Sequence, residues 1–139
     1  MDDGYRQLEE DHRAIEAQFQ DLLRDEEAPV VRELGELLTR HSEIEEAALY
    51  PALRRYVDGG DDLADRAAQE HADIATMVAE LDDSATPERL GELLAQLGDA
   101  VSRHVEFEES EIFPAMRSCG VDGAQLATAL QQSAEPHGR

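Results

Sequence analysis

Apolar residues near the start of the chain fall at Tyr5, Leu8, Ile15, Phe19 and Leu22, and with His12 they step by 3, 4, 3, 4 and 3 residues. That spacing is the stripe of a helix packed on other helices, and it predicts a first helix from about Asp3 to Glu26. A second stripe passes through Leu34, Leu37, Leu38, His41, Ile44, Glu45, Ala48, Leu49 and Tyr56, with Pro29 in its first turn and Asp58-Gly59-Gly60 as its stop. Pro51 lies inside this second helix and has no N–H to donate, so it must bend the helix or loosen one turn. Leu63, Ala67, His71, Ile74, Val78 and Leu81 mark a third helix that ends in Asp82-Asp83-Ser84. Thr86 reads as an N-cap with Pro87 in the first turn of a fourth helix. This helix runs through Leu90, Leu94, Leu97, Val101, His104, Glu108 and Ile112 to about Arg117, where Gly120 closes it. Asp122 caps a short fifth segment carrying Leu126 and Leu130, and Ala134 to Arg139 are expected to be disordered.

Four long helices with short connections predict an all-α fold, an antiparallel up-down-up-down four-helix bundle over residues 1–120. Residues 121–139 supply the short C-terminal helix and tail. Composition agrees: Trp is absent, aromatics are 4% of the chain, and with 139 residues there is room for one domain. The 33 acidic residues outweigh 12 basic ones, all Arg, for a net charge of -21. That balance works against nucleic acid and anionic membranes as partners and suits a solvated acidic shell; no second feature supports a DNA-mimic role. A single cysteine, Cys119, permits no internal disulfide, and neither a basic-then-apolar leader nor a long apolar run occurs. The expected location is the cytoplasm.

Two segments repeat. His41-Ser-Glu-Ile-Glu-Glu-Ala-Ala-Leu-Tyr-Pro-Ala-Leu53 matches His104-Val-Glu-Phe-Glu-Glu-Ser-Glu-Ile-Phe-Pro-Ala-Met116, and Asp11-His12-Arg13-Ala14-Ile15 faintly echoes Glu70-His71-Ala72-Asp73-Ile74. The chain therefore reads as two helical hairpins related by pseudo-symmetry. His12, His41, His71 and His104 each occupy the buried stripe of a different helix, and Glu45 and Glu108 follow a histidine by one turn on the same stripe. Ionisable groups in an apolar interior are costly unless something satisfies them. A pair of transition-metal ions does so, because imidazoles and carboxylates projecting from facing helices form the ligand shell of di-iron and di-manganese bundles.

Counting along the helices puts His12 and His41 at one level, whereas His104 lies about 9 Å further from its turn than His71, which requires the fourth helix to overhang. The surplus is seven residues: Leu34-Gly-Glu-Leu-Leu38 precedes His41 as Leu90-Gly-Glu-Leu-Leu94 precedes His104, at the longer distance. Two added turns preserve the direction of the side chain. His137 lies in the tail and has no role in this reading. Glu16, Glu43 and Glu106 read as flanking solvated carboxylates. Glu46 and Glu109 are closer rivals to Glu45 and Glu108, because i+5 reaches a metal where a helix is locally distorted. Tyr50, Phe113, Leu49 and Ile112 read as core, with Tyr50 also able to donate a hydrogen bond or supply a phenolate.

The order His12, His41-x3-Glu45, His71, His104-x3-Glu108 resembles the hemerythrin-like, or HHE cation-binding, domain over roughly residues 5–117. The resemblance implies two iron ions held without haem, bridged by Glu45 and Glu108 together with an oxo or hydroxo group. It also implies one of the family's functions: reversible dioxygen binding, sensing of oxygen, iron or nitric oxide, or catalase-like peroxide decomposition. Oxygen-carrying members have a second histidine four residues after the one on the third helix, where this chain has Ala75, and they end in H-x4-D rather than H-x3-E. One iron then has a position open to water, Tyr50 or Glu109, which favours peroxide or redox chemistry over clean oxygen carriage. The expected protein is a monomer or weak dimer that binds dioxygen or hydrogen peroxide. The alternatives are a non-enzymatic sensor or iron-handling module acting through a partner, and a structural zinc-binding bundle.

Overall fold

The structure is a computed structural model that describes residues 3–24, 28–82 and 86–134, and these are helical throughout apart from short turns. Helix α1 spans Gly4–Arg24, with Asp3 Oδ1 accepting from the Tyr5 amide at 3.0 Å. Helix α2, Ala28–Ile44, runs without a break into a π-helical turn at Glu45–Leu49 and then into α3, Tyr50–Tyr56. Helix α4 spans Gly60–Asp82. Helix α5, Pro87–Phe107, is followed by a second π-helical turn at Glu108–Ile112 and by α6, Phe113–Ser118. Helix α7 spans Gly123–Ala134.

The predicted boundaries have visible causes. Gly59 adopts φ +75°, and a Cβ on Gly60 would fall on the Leu53 carbonyl, so the Gly-Gly pair makes the reversal between α3 and α4. Thr86 accepts from the Arg89 amide at 3.1 Å. Asp122 Oδ1 accepts from the Gln125 amide at 2.8 Å while Gln125 Oε1 accepts from the Asp122 amide at 3.0 Å, a reciprocal capping box that starts α7. Each proline, Pro51 and Pro114, follows a π turn whose last hydrogen bond runs from residue 50 or 113 to the carbonyl of Glu45 or Glu108. The missing proline N–H is what loosens that turn. Tyr56 departs from its expected stripe: it is 47% exposed, because α3 ends there and Val57 turns inward in its place. The Leu22 side chain, Glu26, Asp83-Ser84 and residues 135–139 lie outside the described residues, and Ala134 is the last residue of α7.

The buried side chains form two apolar clusters. Tyr5, Leu8, Leu49, Leu53, Phe113, Met116, Leu126 and Leu130 belong to the first. Ile15, Phe19, Leu34, Leu38, Ile74, Leu94, Leu97 and Val101 belong to the second. Helix α1 runs from the first cluster to the second, α2–α3 returns to the first, α4 goes again to the second, and α5–α6 returns. Each crossing passes a histidine: His12, His41, His71 and His104. Fully burying one Leu, Ile or Phe contributes about 1.5–3 kcal/mol, so two such clusters hold a polar layer rigidly between them.

Candidate metal centre

His12, His41, Glu45, His71, His104 and Glu108 are all buried, and both glutamates have no exposed surface. Two quartets share the glutamates: His12, His41, Glu45 and Glu108, and then Glu45, His71, His104 and Glu108. In the first, His12 Nε2 lies 3.1 Å from Glu108 Oε1 and 3.5 Å from Glu45 Oε2, and His41 Nε2 lies 3.0 Å from Glu45 Oε2. In the second, His71 Nε2 lies 3.0 Å from Glu45 Oε1 and His104 Nε2 lies 3.2 Å from Glu108 Oε2. Each carboxylate thus presents one oxygen to each quartet. The i+4 step from His41 to Glu45 and from His104 to Glu108 spans the last α-helical turn before the π turn.

His12 Nε2, His41 Nε2, Glu45 Oε2 and Glu108 Oε1 are buried and have no hydrogen-bond partner. Their lone pairs converge, a donor set of nitrogen and oxygen that suits a transition-metal ion. Tyr50 stands in the second quartet. Its hydroxyl donates to Glu108 Oε2 at 2.7 Å and lies 3.0 Å from His71 Nε2 and 3.3 Å from His104 Nε2. The matching residue of the other half, Phe113, has no hydroxyl and stacks parallel to His12 with ring centroids 6.3 Å apart. The two quartets are therefore unequal.

The outer nitrogens are held as well. His12 Nδ1 pairs with Glu109 Oε2 at 2.7 Å, His71 Nδ1 with Glu46 Oε2 at 2.9 Å, and His104 Nδ1 with Glu70 Oε1 at 2.7 Å. Asp11 Oδ2 stands 3.6 Å from His41 Nδ1, one small rotation beyond hydrogen-bond reach. An imidazole that donates from Nδ1 presents Nε2 as a lone pair, the form a metal ion requires. Glu46 and Glu109, rivals for the inner positions, thus serve the outer ones. Glu43 and Glu106 are exposed, and Glu16 pairs with Arg13 at 2.9 Å. The roles of Asp11 and Glu70 went unread in the sequence. The available signal was an acidic residue directly before His12 and His71, matching one directly after Glu45 and Glu108.

Burial lowers the pKa of His12, His41 and His104, but in the metal-free cluster the neighbouring carboxylates outweigh it. Glu108 and Glu45 raise His12 to about 10 and His104 to about 11, and Glu45 with Asp11 raises His41 to about 9. Burial pushes Glu45 up, yet His41, His104 and His12 hold it well below the usual carboxylate range. Burial, then the two carboxylates, drives the Tyr50 hydroxyl far above an ordinary phenol. A groove of about 290 Å³ between α2 and α4 is lined by Leu38, Ile74, Ala75 and Val78 and by Ser42, Glu43, Glu46 and His71. His71 and His104 meet with ring centroids 4.5 Å apart, so the longer approach of α5 does not separate them.

One family model, the Hemerythrin HHE cation binding domain, matches residues 3–116. Among curated proteins, a DNA nickase of Nostoc sp. (strain PCC 7120 / SAG 25.82 / UTEX 2576) is 28% identical over 113 residues, 78% of this chain and 32% of that protein. The chain thus spans about a third of the length of that relative. No solved structure matches.

Proposed function

This chain belongs to the hemerythrin HHE cation-binding family, and from that premise we propose that it binds two iron ions in its buried cluster and acts on dioxygen or hydrogen peroxide. The observation that carries the reading is the convergence of four unpartnered buried atoms from His12, His41, Glu45 and Glu108, with both glutamates extending into a second quartet. His12 and His41 would hold one ion and His71 and His104 the other, with Glu45 and Glu108 each offering one oxygen to either quartet. Iron in this setting supplies Lewis acidity and one-electron redox steps toward an oxygen-containing ligand.

The protein's own groups shape that chemistry. The apolar clusters on either side keep bulk water from the polar layer. Tyr50 stands beside the second quartet, where its hydroxyl donates to Glu108 Oε2, and the position that Ala75 leaves without an imidazole would be open to an exchangeable ligand. The groove past Ala75 is the way in for a small neutral molecule, and Glu43 and Glu46 among its otherwise largely apolar lining disfavour anions. An opened position favours peroxide turnover over reversible oxygen carriage. The alternation of the helices between the two clusters supports an antiparallel up-down-up-down four-helix bundle, to whose first cluster α7 contributes Leu126 and Leu130.

DNA nicking does not carry over from the Nostoc relative on this reading: the cluster is buried, and a net charge of -21 opposes a phosphate backbone. Among the described residues Tyr56 is the single exposed large hydrophobic, which supports a monomer or weak dimer. Cys119 is exposed and unpaired, as suits a reducing cytoplasm, and no described helix is long and apolar enough to cross a membrane. Stopped-flow measurement on the iron-loaded, reduced protein tests the reading. Peroxide consumption without a lasting oxygen adduct supports it, and a stable reversible adduct with no peroxide turnover contradicts the preference for peroxide. Loss of neither reagent, together with redox-dependent capture of a partner, would favour a sensor.

A further inference from the structure

The carboxylates that hold the outer nitrogens form a closed circuit. Asp11 of α1 faces His41 of α2, Glu46 faces His71 of α4, Glu70 of α4 faces His104 of α5, and Glu109 faces His12 of α1. Each helical layer therefore sends one imidazole inward and one carboxylate sideways to the next. The four links are not equivalent. Arg13 Nη2 reaches both oxygens of Glu109, at 3.1 and 2.9 Å. Arg66 Nε donates to Glu70 Oε2 at 3.3 Å while its guanidinium lies 3.9 Å over the Phe107 ring. Among the described residues, neither Asp11 nor Glu46 touches a guanidinium, and both are more than half exposed, at 54% and 53%.

We propose that Arg13 and Arg66 are positioning residues that clamp one imidazole in each metal subsite, His12 through Glu109 and His104 through Glu70. His41 and His71 are left as the yielding ligand of each pair. The inference rests on the metal-binding reading above. Its physical basis is that a carboxylate also held by a cation, Glu109 on both oxygens and Glu70 on the oxygen away from His104, resists rotating away from the imidazole, so the ring is oriented before an ion arrives. Both clamped imidazoles contact α5 or its π turn, directly or through their carboxylate. Both yielding ones lie on the side of α2, where the groove past Ala75 also reaches His71.

Titration of the metal-depleted full chain with Co²⁺, followed by its visible bands and by competition with a chelator, separates the possibilities. Arg13→Gln and Arg66→Gln are each expected to weaken one of two binding steps about tenfold, the lower range for changes behind a ligand. Lysine at either position should restore most of the loss. Arg54→Gln should change nothing, since among the described residues Arg54 pairs with Asp61 and Asp65, away from the cluster. In a His12→Ala background, Arg13→Gln should cause no further loss, whereas Arg66→Gln should still do so. Wild-type affinity in both arginine variants would overturn the proposal while leaving the metal site intact. So would an Arg13→Gln loss that persists without His12. Failure of the wild-type chain to take up Co²⁺ would overturn the metal-binding reading and this proposal with it.

Discussion

Within the polar layer, His12 and Glu16 make a useful contrast: both lie on α1 one turn apart, yet only His12 faces the shared interior, while Glu16 turns outward to Arg13. Substituting His12 or His104 by Ala should therefore lower the metal content by about one ion per chain, and Glu16→Gln should not; elemental analysis of the three variants decides this. Ala75 makes a second case. Filling the groove with Ala75→Phe should slow peroxide consumption about tenfold with iron content unchanged, since access rather than ligation is altered. The titrations set a third expectation. His12, His41 and His104 are raised to about 10, 9 and 11, so their contribution to the stability of the metal-free chain is complete below pH 6.5 and is lost as pH climbs through those values. Glu45, held below 4.5, contributes above that pH and loses its effect as pH falls through its lowered value. Urea midpoints of the metal-free chain should peak between about pH 4.5 and 6.5 and decline toward pH 9. Metal uptake should strengthen over that same rise because it displaces the protons. A midpoint that increases from pH 6 to 9 would contradict this.

At the level of elements, the stripes and stop signals were legible because helix periodicity, proline and glycine act locally. Thr86 and Asp122 cap their helices, and Gly59-Gly60 stops the second predicted helix, as the sequence suggested. The loosened turn at Pro51 was also legible, but its form was not: the bulge begins at Glu45, so that Glu45 keeps its i+4 step from His41 and Glu46 swings to His71 on the next helix. Spacing along one helix cannot register a contact made across two. That is why Glu46 and Glu109 read as rivals for the metal, and why Asp11, Glu70, Arg13 and Arg66 were not singled out. A test of the bulge follows. Pro51→Ala returns an amide donor to the turn; it should leave the metal-free fold at least as stable and weaken metal binding about tenfold as Glu45 and Tyr50 shift, measured by calorimetric titration.

For the whole molecule, two apolar clusters enclose a layer of four histidines and two glutamates, inside a shell with net charge -21. Repulsion within that shell is screened by salt, so raising NaCl from about 0.05 to 0.5 M should raise the unfolding temperature of the metal-free chain. Metal withdrawal should lower it, because the buried ligands then lack their common partner. The helical class could be read from the apolar stripes and the family from the order of six residues. An inequality between the two halves was legible at Ala75, but the contacts of the Tyr50 hydroxyl with Glu108, His71 and His104 were not, since they are made across helices. The most direct test of the account is elemental analysis of the protein expressed with iron and purified without chelator, with an ultraviolet–visible spectrum of the same sample. The account predicts about two irons per chain with near-ultraviolet ligand-to-iron charge-transfer bands. Iron well below about one per chain, and no such bands after reconstitution, would contradict it.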